Sequence, residues 1–445
     1  MSHWKGVIGA AACAALAAAG LVRAGDADYR PARDELTLTR PLSLDIVEPA
    51  TNPATPTPPT SAPAEPAPAP TTPKPLMNLI GHTPAADFFS KTGINMYGFF
   101  EGGYTYSASS PPNNMITGNV FNTSHEEPIL DQADFSIERV VDAAAAAKNH
   151  TIDIGGRAEV IYGYDTKYFH SNGLFDYYHG TEYQWDLNQA YIDIGLPVGN
   201  GLTVRAGKMV TLLGYEVINP TGDPLYSHSY LFGYAIPFTN TGIMGIYSLN
   251  DQWAVEGGVT RGWNQSTKDN NGAIDAMGSI TYTPNAKNEP NTKFALAFTE
   301  GPEAAHDNHD YWTVIDLIVA KQLNAKTTVA LNADYGDAPH GLGPTSAQWF
   351  GTAVYGQYVI NDYVTLNARG EWYDDNNGFT LGTGRNMQVY EATLGAAITP
   401  APANDYLKWL QIRPEVRFDY ANHRYFDGAT DYYQVQFAID AIFQF

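Results

Sequence analysis

The polar and apolar positions near the end of the chain, YYQVQFAIDAIFQF, alternate with a strict period of two. Tyr433, Val435, Phe437, Ile439, Ala441, Phe443 and Phe445 share one face, and Gln434, Gln436, Asp440 and Gln444 share the other, as successive side chains of a β-strand must. The same period recurs upstream. In 363–373, Val364, Leu366, Ala368, Gly370 and Trp372 oppose Thr365, Asn367, Arg369 and Glu371. In 406–420, Leu410, Ile412, Val416, Phe418 and Tyr420 oppose Gln411, Arg413, Glu415, Arg417 and Asp419, and Pro414 predicts a bulge because proline cannot donate to a ladder. In 151–164, Ile154, Ala158, Val160, Tyr162 and Tyr164 oppose Asp153, Arg157 and Glu159. Turn residues between such runs divide the chain into sixteen predicted strands: 93–106, 132–142, 151–164, 184–196, 201–210, 240–248, 252–262, 273–283, 292–300, 311–322, 327–335, 346–359, 363–373, 386–398, 406–420 and 431–445.

Alternation does not say which face points inward, but the connections do. Short links at LPVGN, SLND, QLNAK and VINDY alternate with longer polar ones at 107–131, 165–183, 211–239, 263–272, 301–310, 336–345, 374–385 and 421–430. Short turns at one end and long loops at the other are the layout of an outer-membrane barrel, with both termini on the periplasmic, short-turn side. A greasy strand at the end of a soluble sheet would leave an aggregation-prone edge, whereas a closed barrel has no edge. The predicted fold class is therefore all-β: a transmembrane antiparallel β-barrel of about 16 strands over 91–445.

The first 24 residues change the picture by fixing a compartment. Lys5, an uncharged apolar run over 6–22 and the small residues around Ala24 predict a secretory signal peptide, 1–24, cleaved after Ala24. Cys13, the only cysteine, lies inside it, and Ala10 stands where a lipoprotein signal carries leucine. The mature chain then has no thiol chemistry and sets 47 acidic residues against 23 basic ones. That balance excludes nucleic acid as a partner and favours cations or cationic solutes. No uncharged apolar run of about 18 residues follows the signal, so membrane crossing falls to a closed barrel. Between them, residues 25–90 read as a disordered periplasmic leader. No aromatic residue separates Tyr29 from Phe88, and 49–75 holds 11 prolines in 27 residues, a polyproline spacer able to reach roughly 80 Å.

LNQAYIDIGLPVGNGLTVRAGKMVTLLGYEVINPTGDPLYSHSYLFGYAIPFTNTGIMG (187–245), together with INMYGFFEGGYTYS (94–107), resembles β-barrel porins of the OmpL-like type, and the likeness covers most of 90–445. The resemblance implies a passive or weakly selective channel for small hydrophilic solutes or ions, seated in outer-membrane lipid and able to form a homotrimer. It brings no catalytic residue and no cofactor. It also implies that the terminal aromatic strand, with Phe445, Phe443 and Phe437, is the insertion signal read by the outer-membrane barrel-assembly machinery.

Sixteen-stranded porins fold one loop into the lumen, and the longest connection here, 211–239, is the candidate. YSHSYLFGY is too apolar for a loop floating in water. Its acids, Glu216 and Asp223, are expected to face Arg157 and Arg205 across a constriction, since opposed charge rings orient and select solutes. Glu101, Asp153, Glu159, Arg369, Glu371, Arg413, Glu415 and Arg417 complete the expected pore lining, mixed in sign and tilted toward cations by the acid excess. Four other patterns carry less. EAAHDNHD (303–310) brings His306, Asp307, His309 and Asp310 together but reads as a solvated tract, and DDNNG (374–378) lacks the glutamate of a calcium loop and reads as a turn. NHT (149–151) and NQS (264–266) match glycosylation acceptors, which mean little in a bacterial-type barrel. Two competing functions remain. One is a surface adhesin with a plugged lumen. The other is an outer-membrane phospholipase needing a lipid-facing Ser/His pair, for which Ser227, His228 and Ser229 are the candidates.

Overall fold

The computed structural model describes residues 74–109, 111–176, 181–284, 291–342 and 345–445; the expected signal peptide and the leader up to residue 73 lie outside them. Sixteen antiparallel strands close on themselves, each bonded to its sequence neighbours and β1 to β16. In order they are β1 (Asn95–Ser107), β2 (Ile129–Arg139), β3 (Asp153–Gly163), β4 (Gln184–Leu196), β5 (Leu202–Val210), β6 (Thr239–Ser248), β7 (Trp253–Thr260), β8 (Asp275–Tyr282), β9 (Thr292–Pro302), β10 (Tyr311–Asn324), β11 (Thr327–Leu342), β12 (Thr345–Asn361), β13 (Val364–Asp375), β14 (Met387–Ile398), β15 (Leu410–Ala421) and β16 (Tyr433–Gln444).

The two-residue period decides which side chain goes where. Phe437, Ile439, Val354, Leu394, Ile192 and Ile243 stand exposed on the outer surface, while Gln434, Gln436, Asp440, Arg413, Arg417 and Glu371 are buried inside. Such a sheet is rolled with its apolar face outward, the arrangement of a barrel solvated by lipid. Aromatic residues gather at both ends of the outer face. Trp253, Tyr282 and Phe294 stack near the short-turn end (ring centres 4.3 and 6.1 Å), and Tyr162–Trp185 and Tyr390–Tyr420 pair near the long-loop end at 4.8 and 6.2 Å.

Closure is made by the chain's last residues. Gly98 and Phe445 exchange backbone hydrogen bonds of 3.1 and 2.9 Å, and the Phe445 ring lies 5.1 Å from that of Phe100. Two short helices, α1 (Pro75–Gly81) and α2 (Ala86–Thr92), precede β1, where the sequence had been read as leader. Residue 74 is drawn to the barrel mouth: Lys74 Nζ stands 5.1 Å from the ring centre of Tyr97, and Met96 N–H reaches Met77 Sδ at 3.4 Å.

Three local expectations change. The connection expected at 336–345 is mostly strand, since β11 and β12 stay paired through Leu342 and Thr345. Gly336 makes room there for the Trp349 indole, which a side chain at 336 would overlap. Pro414 produces no bulge. The β14 ladder omits pairs between Gly395–Glu415 and Ile398–Ile412 without changing register, and the β16 ladder runs straight through it. Register shifts fall instead at Glu101/Gly102 against β2 and at Glu159/Val160 against β4, and toward strand ends at Gln322/Asn324, Ala338/Leu342 and Val359/Asn361. The short-turn end also carries a helix, α3 (Ala143–Asn149), capped by Asp142.

Register at the seam is directly testable, because directly opposed Cβ atoms lie about 5 Å apart. Tyr104 and Ile439 are Cα partners, and the only native cysteine is Cys13. The double variant Tyr104→Cys/Ile439→Cys is expected to oxidise to an intramolecular disulfide in the folded barrel, read by gel mobility. Tyr104→Cys/Val435→Cys, out of register by four residues, is expected not to.

Candidate functional site

Residues 211–238, joining β5 to β6, turn back into the barrel. Leu213, Tyr230, Leu231, Ala235 and Ile236 reach zero exposure there, against inner-wall residues such as Val314, Ile318, Ala353 and Tyr373. Apolar burial draws the loop in, but its backbone then loses water, and buried peptide groups left unpaired would be costly. The barrel wall supplies their partners. On β15, Glu415 accepts from the amides of Tyr226 (2.9 Å) and Ser227 (3.1 Å), and on β13 Glu371 accepts from those of Tyr230 (2.6 Å) and Leu231 (2.7 Å). Arginines meet the carbonyls: Arg413 those of Pro220 and Asp223 (2.9 and 2.8 Å), Arg369 that of Ser227 (2.6 Å) and Arg417 that of His228 (2.6 Å). Asn367 and Gln132 hold the carbonyls of Pro224 and Ile218 at 2.6 and 2.9 Å. The loop ends on a single π-helical turn, Leu231–Ala235, whose Ala235 carbonyl receives the Trp349 indole at 2.9 Å.

Arg369, Glu371, Arg413, Glu415 and Arg417 therefore face inward as alternation predicts, but they lie under the loop, none more than 7% exposed, and do not line open water. The expected pairing across a constriction also changes. Glu216 meets Arg369 (2.8 Å), Tyr355 Oη (3.0 Å) and His228 (3.1 Å), and Asp223 accepts from Val217 N–H at 2.9 Å. Arg157 pairs with Glu159 at 2.9 Å and Arg205 with Asp193 at 2.9 Å, its cross-strand partner. A neighbour on the same or adjacent strand needs no loop to be ordered first, and these two arginines stay with theirs. Glu101 joins Arg413 (3.1 Å) beside Asp440 (2.7 Å from Arg413), and Asp153 pairs with Arg139 at 2.7 Å near the short-turn end.

The alternation puts Asp440 and Asp419 on the inner face, but the expected pore lining left out the carboxylates that complete the arginine pairs: Asp440 for Arg413, Glu391 for Arg369 and Asp419 for Arg417. It also missed a second inward loop, 108–128. Phe121, at φ 75° and 2% exposed, packs its ring among Tyr168, Phe169, His228, Phe232 and Phe238, at centre distances between 4.9 and 6.0 Å. A bulky residue with positive φ is costly and persists only where packing demands it. The signal was present in the apolar Ile116, Val120 and Phe121 of that connection. Asn119 fixes it to Gln436 by two amide bonds of 2.7 and 3.0 Å.

The electrostatics of the loop follow from burial. Burial opposes ionisation of Glu216, but Arg369 and then His228 outweigh it and hold the carboxyl down at about 2. Burial, helped by Arg369 and Arg413, keeps the His228 imidazole below its ordinary value against the pull of Glu216. Ser227 and Ser229 are buried beside it. Among the described residues, no group of three or more His, Cys, Asp or Glu side chains is placed to hold a metal. In the 303–310 tract, Asp310 turns to His340 (2.8 Å) and Asp307 accepts from His309 N–H (2.7 Å). In 374–378, Asp375 caps a turn through the amides of Phe379 and Leu381 at 2.9 and 2.8 Å.

A closed sixteen-stranded barrel, apolar outside and filled from one end by an inward loop, defines an outer-membrane β-barrel of the porin class. Residues 93–445 match the family described as "Putative beta-barrel porin-2, OmpL-like", and the chain belongs to that family. No curated protein matches it in sequence. Among solved structures, Pseudomonas putida OprB is similar at 10% identity and TM-score 0.53, over 81% of this chain and 96% of that one. Salmonella typhi OmpF is similar at 12% identity and TM-score 0.49 (79% and 97%), and the trimer form of Vibrio cholerae OmpT at 12% and 0.47 (79% and 99%).

Two measurements test the loop's anchoring. Glu216→Gln leaves Arg369 with one fewer buried carboxylate, and is expected to lower barrel stability by on the order of 3 kcal/mol in urea unfolding. A depressed imidazole value means that the unfolded chain takes up a proton below about 6.5 which the folded chain resists, so this contribution is full above that pH and is lost as pH falls. The decline in melting temperature between pH 7 and pH 5 is therefore expected to be shallower in His228→Gln than in the parent.

Proposed function

We propose that the protein is a passive channel of the bacterial outer membrane, exported by its signal peptide, with both termini periplasmic and the 211–238 loop as its constriction for small hydrophilic solutes. The observation that supports this most is the division of the interior. Charges on β13, β15, β16 and β1 are covered by the loop, whereas on the wall from β2 to β9 the side chains of Arg157 and Arg205 keep 17% and 20% exposure and Glu138, Glu256 and Lys293 are half-buried. Solutes would pass along that wall, and its mixed signs make for weak selectivity. A slight cation lean belongs to the proposal on the strength of the chain's acid excess, as do the barrel-assembly machinery and a homotrimer as partners. Neutralising Glu216 and Asp223 would then widen or destabilise the passage more than it shifts ion preference, because both carboxylates are spent on loop contacts.

The inward packing of Phe121 and its loop favours a second reading, a plugged barrel that serves as a surface adhesin. The phospholipase reading has no such support, since Ser227, His228 and Ser229 lie inside the barrel, each 5% exposed or less, away from lipid. Single-channel current from the refolded, signal-free protein in a planar bilayer decides. Ohmic steps with a small cation-leaning reversal potential in a salt gradient are expected. Silence from barrels shown to be folded by heat-modifiable gel mobility would overturn the channel in favour of the plug.

A further inference from the structure

Two buried carboxyl groups at the long-loop end belong to none of the contacts above. Asp275 begins β8 and turns inward at 1% exposure, its carboxyl filling the space that a side chain on Gly301 would occupy. Glu303, the first residue after β9, is 6% exposed and brings its carboxyl into hydrogen-bond contact with that of Asp275. Trp263 N–H donates to both Glu303 oxygens, at 2.9 and 3.1 Å. Neither acid forms an ion pair among the described residues, and apart from the Glu303 carboxyl neither oxygen of Asp275 has a partner. The two cations of this loop sit elsewhere, Arg261 on Asp269 at 3.5 Å and Lys268 on Asp176 at 3.8 Å. Two further oxygens on the same elements are without partners: Thr299 Oγ1, fully buried two residues before Gly301 on β9, and Asn270 Oδ1, whose own Nδ2 holds the Glu303 carbonyl at 2.8 Å.

Touching carboxylates out of water repel unless something positive lies between them. We propose that Asp275 and Glu303 share a divalent cation of the calcium class, with Asn270 Oδ1, Thr299 Oγ1 and water completing an all-oxygen shell. Hard oxygen donors in an irregular, loop-borne set suit calcium, which accepts six to eight ligands in flexible geometry. The site is distinct from the histidine and aspartate tract that follows Glu303, whose Asp307 and Asp310 turn to other partners. Its place explains what it would do. The loops 261–274 and 303–310 are already joined by His306 N–H to the Asn270 carbonyl (3.0 Å) and Asn271 Nδ2 to the Pro302 carbonyl (2.6 Å), and a shared ion would clasp them over the barrel mouth. Burial first, then Asp275, push the Glu303 carboxyl well above the ordinary carboxylate range, so a proton is the rival occupant.

The test is terbium luminescence of the refolded full chain at pH 7, sensitised by Trp263, with calcium as the competitor. One saturable, calcium-displaceable site is expected, weakened at least tenfold in both Asp275→Asn and Glu303→Gln and unchanged in His309→Ala. Folding of each variant is read independently from heat-modifiable gel mobility. Absence of saturable binding to the folded parent would overturn the proposal and assign the pair to a shared proton. Binding that survives both substitutions, or that is lost in His309→Ala, would overturn it by placing the ion elsewhere.

Discussion

A backbone carried into the middle of a barrel loses its water, and each amide and carbonyl that it brings must find another partner. In this protein the partners are charged side chains of the wall. Glutamates at 371 and 415 each take two consecutive amides of the inward loop, arginines at 369 and 417 take carbonyls between them, and Arg413 takes two carbonyls just before them. Bonds to ionised groups are stronger than neutral ones, and a carboxylate taking two neighbouring amides fixes direction as well as distance. The loop's path is thus written on β13 and β15 as much as in its own residues, and the shape of the interior depends on this match.

The same match governs the electrostatics. The chain carries 47 acidic residues, yet many that point inward are consumed in holding structure. Asp440 and Glu101 share Arg413, Glu391 and Glu216 share Arg369, and Asp419 is bound by Arg417, Gln434 and Gln436. A carboxylate buried against a guanidinium contributes little field to a solute several ångströms away, so the proposed lean toward cations draws on the acids outside these pairs. The inward charged groups that keep partial exposure on β2, β3, β5, β7 and β9 include Glu138, Arg157, Arg205, Glu256 and Lys293, which mix both signs.

How far all this could be read from sequence follows from the range of each interaction. Strand periodicity is local, and every one of the sixteen runs is present, with 184–196 matching β4 residue for residue. The inward loop was legible because Tyr226, Tyr230, Leu231 and Phe232 are too apolar for water. Which wall it leans on was not, because contacts such as Tyr226 to Glu415 and Tyr230 to Glu371 join residues far apart in the chain, and no local pattern encodes them. Arg157 and Arg205 were assigned to the loop for want of that information, when each has a carboxylate one strand or two residues away. The 108–128 connection escaped because its apolar residues are few and one of them, Phe121, takes a backbone conformation that no propensity favours.

Two irregularities of the sheet fall where the interior is filled. The register shift at Glu101/Gly102 leaves consecutive residues Asp131 and Gln132 both buried, one meeting Tyr226 Oη at 2.9 Å and the other the Ile218 carbonyl. The shift at Glu159/Val160 does the same for Asn188 and Gln189, which take the two oxygens of Glu159 at 3.1 and 2.6 Å. A bulge turns two neighbouring side chains to one face, doubling the polar groups that a strand can offer inward at one level. Strands β6 to β10, which present methyl groups and methionines such as Met244, Met277, Ala295 and Ala297 to the loop's apolar side, pair without any such shift over β6 to β9. Within β1 to β9 the wall is therefore regular where it meets apolar surface and bulged where it must gather polar groups, one of which, Gln132, holds a carbonyl of the loop.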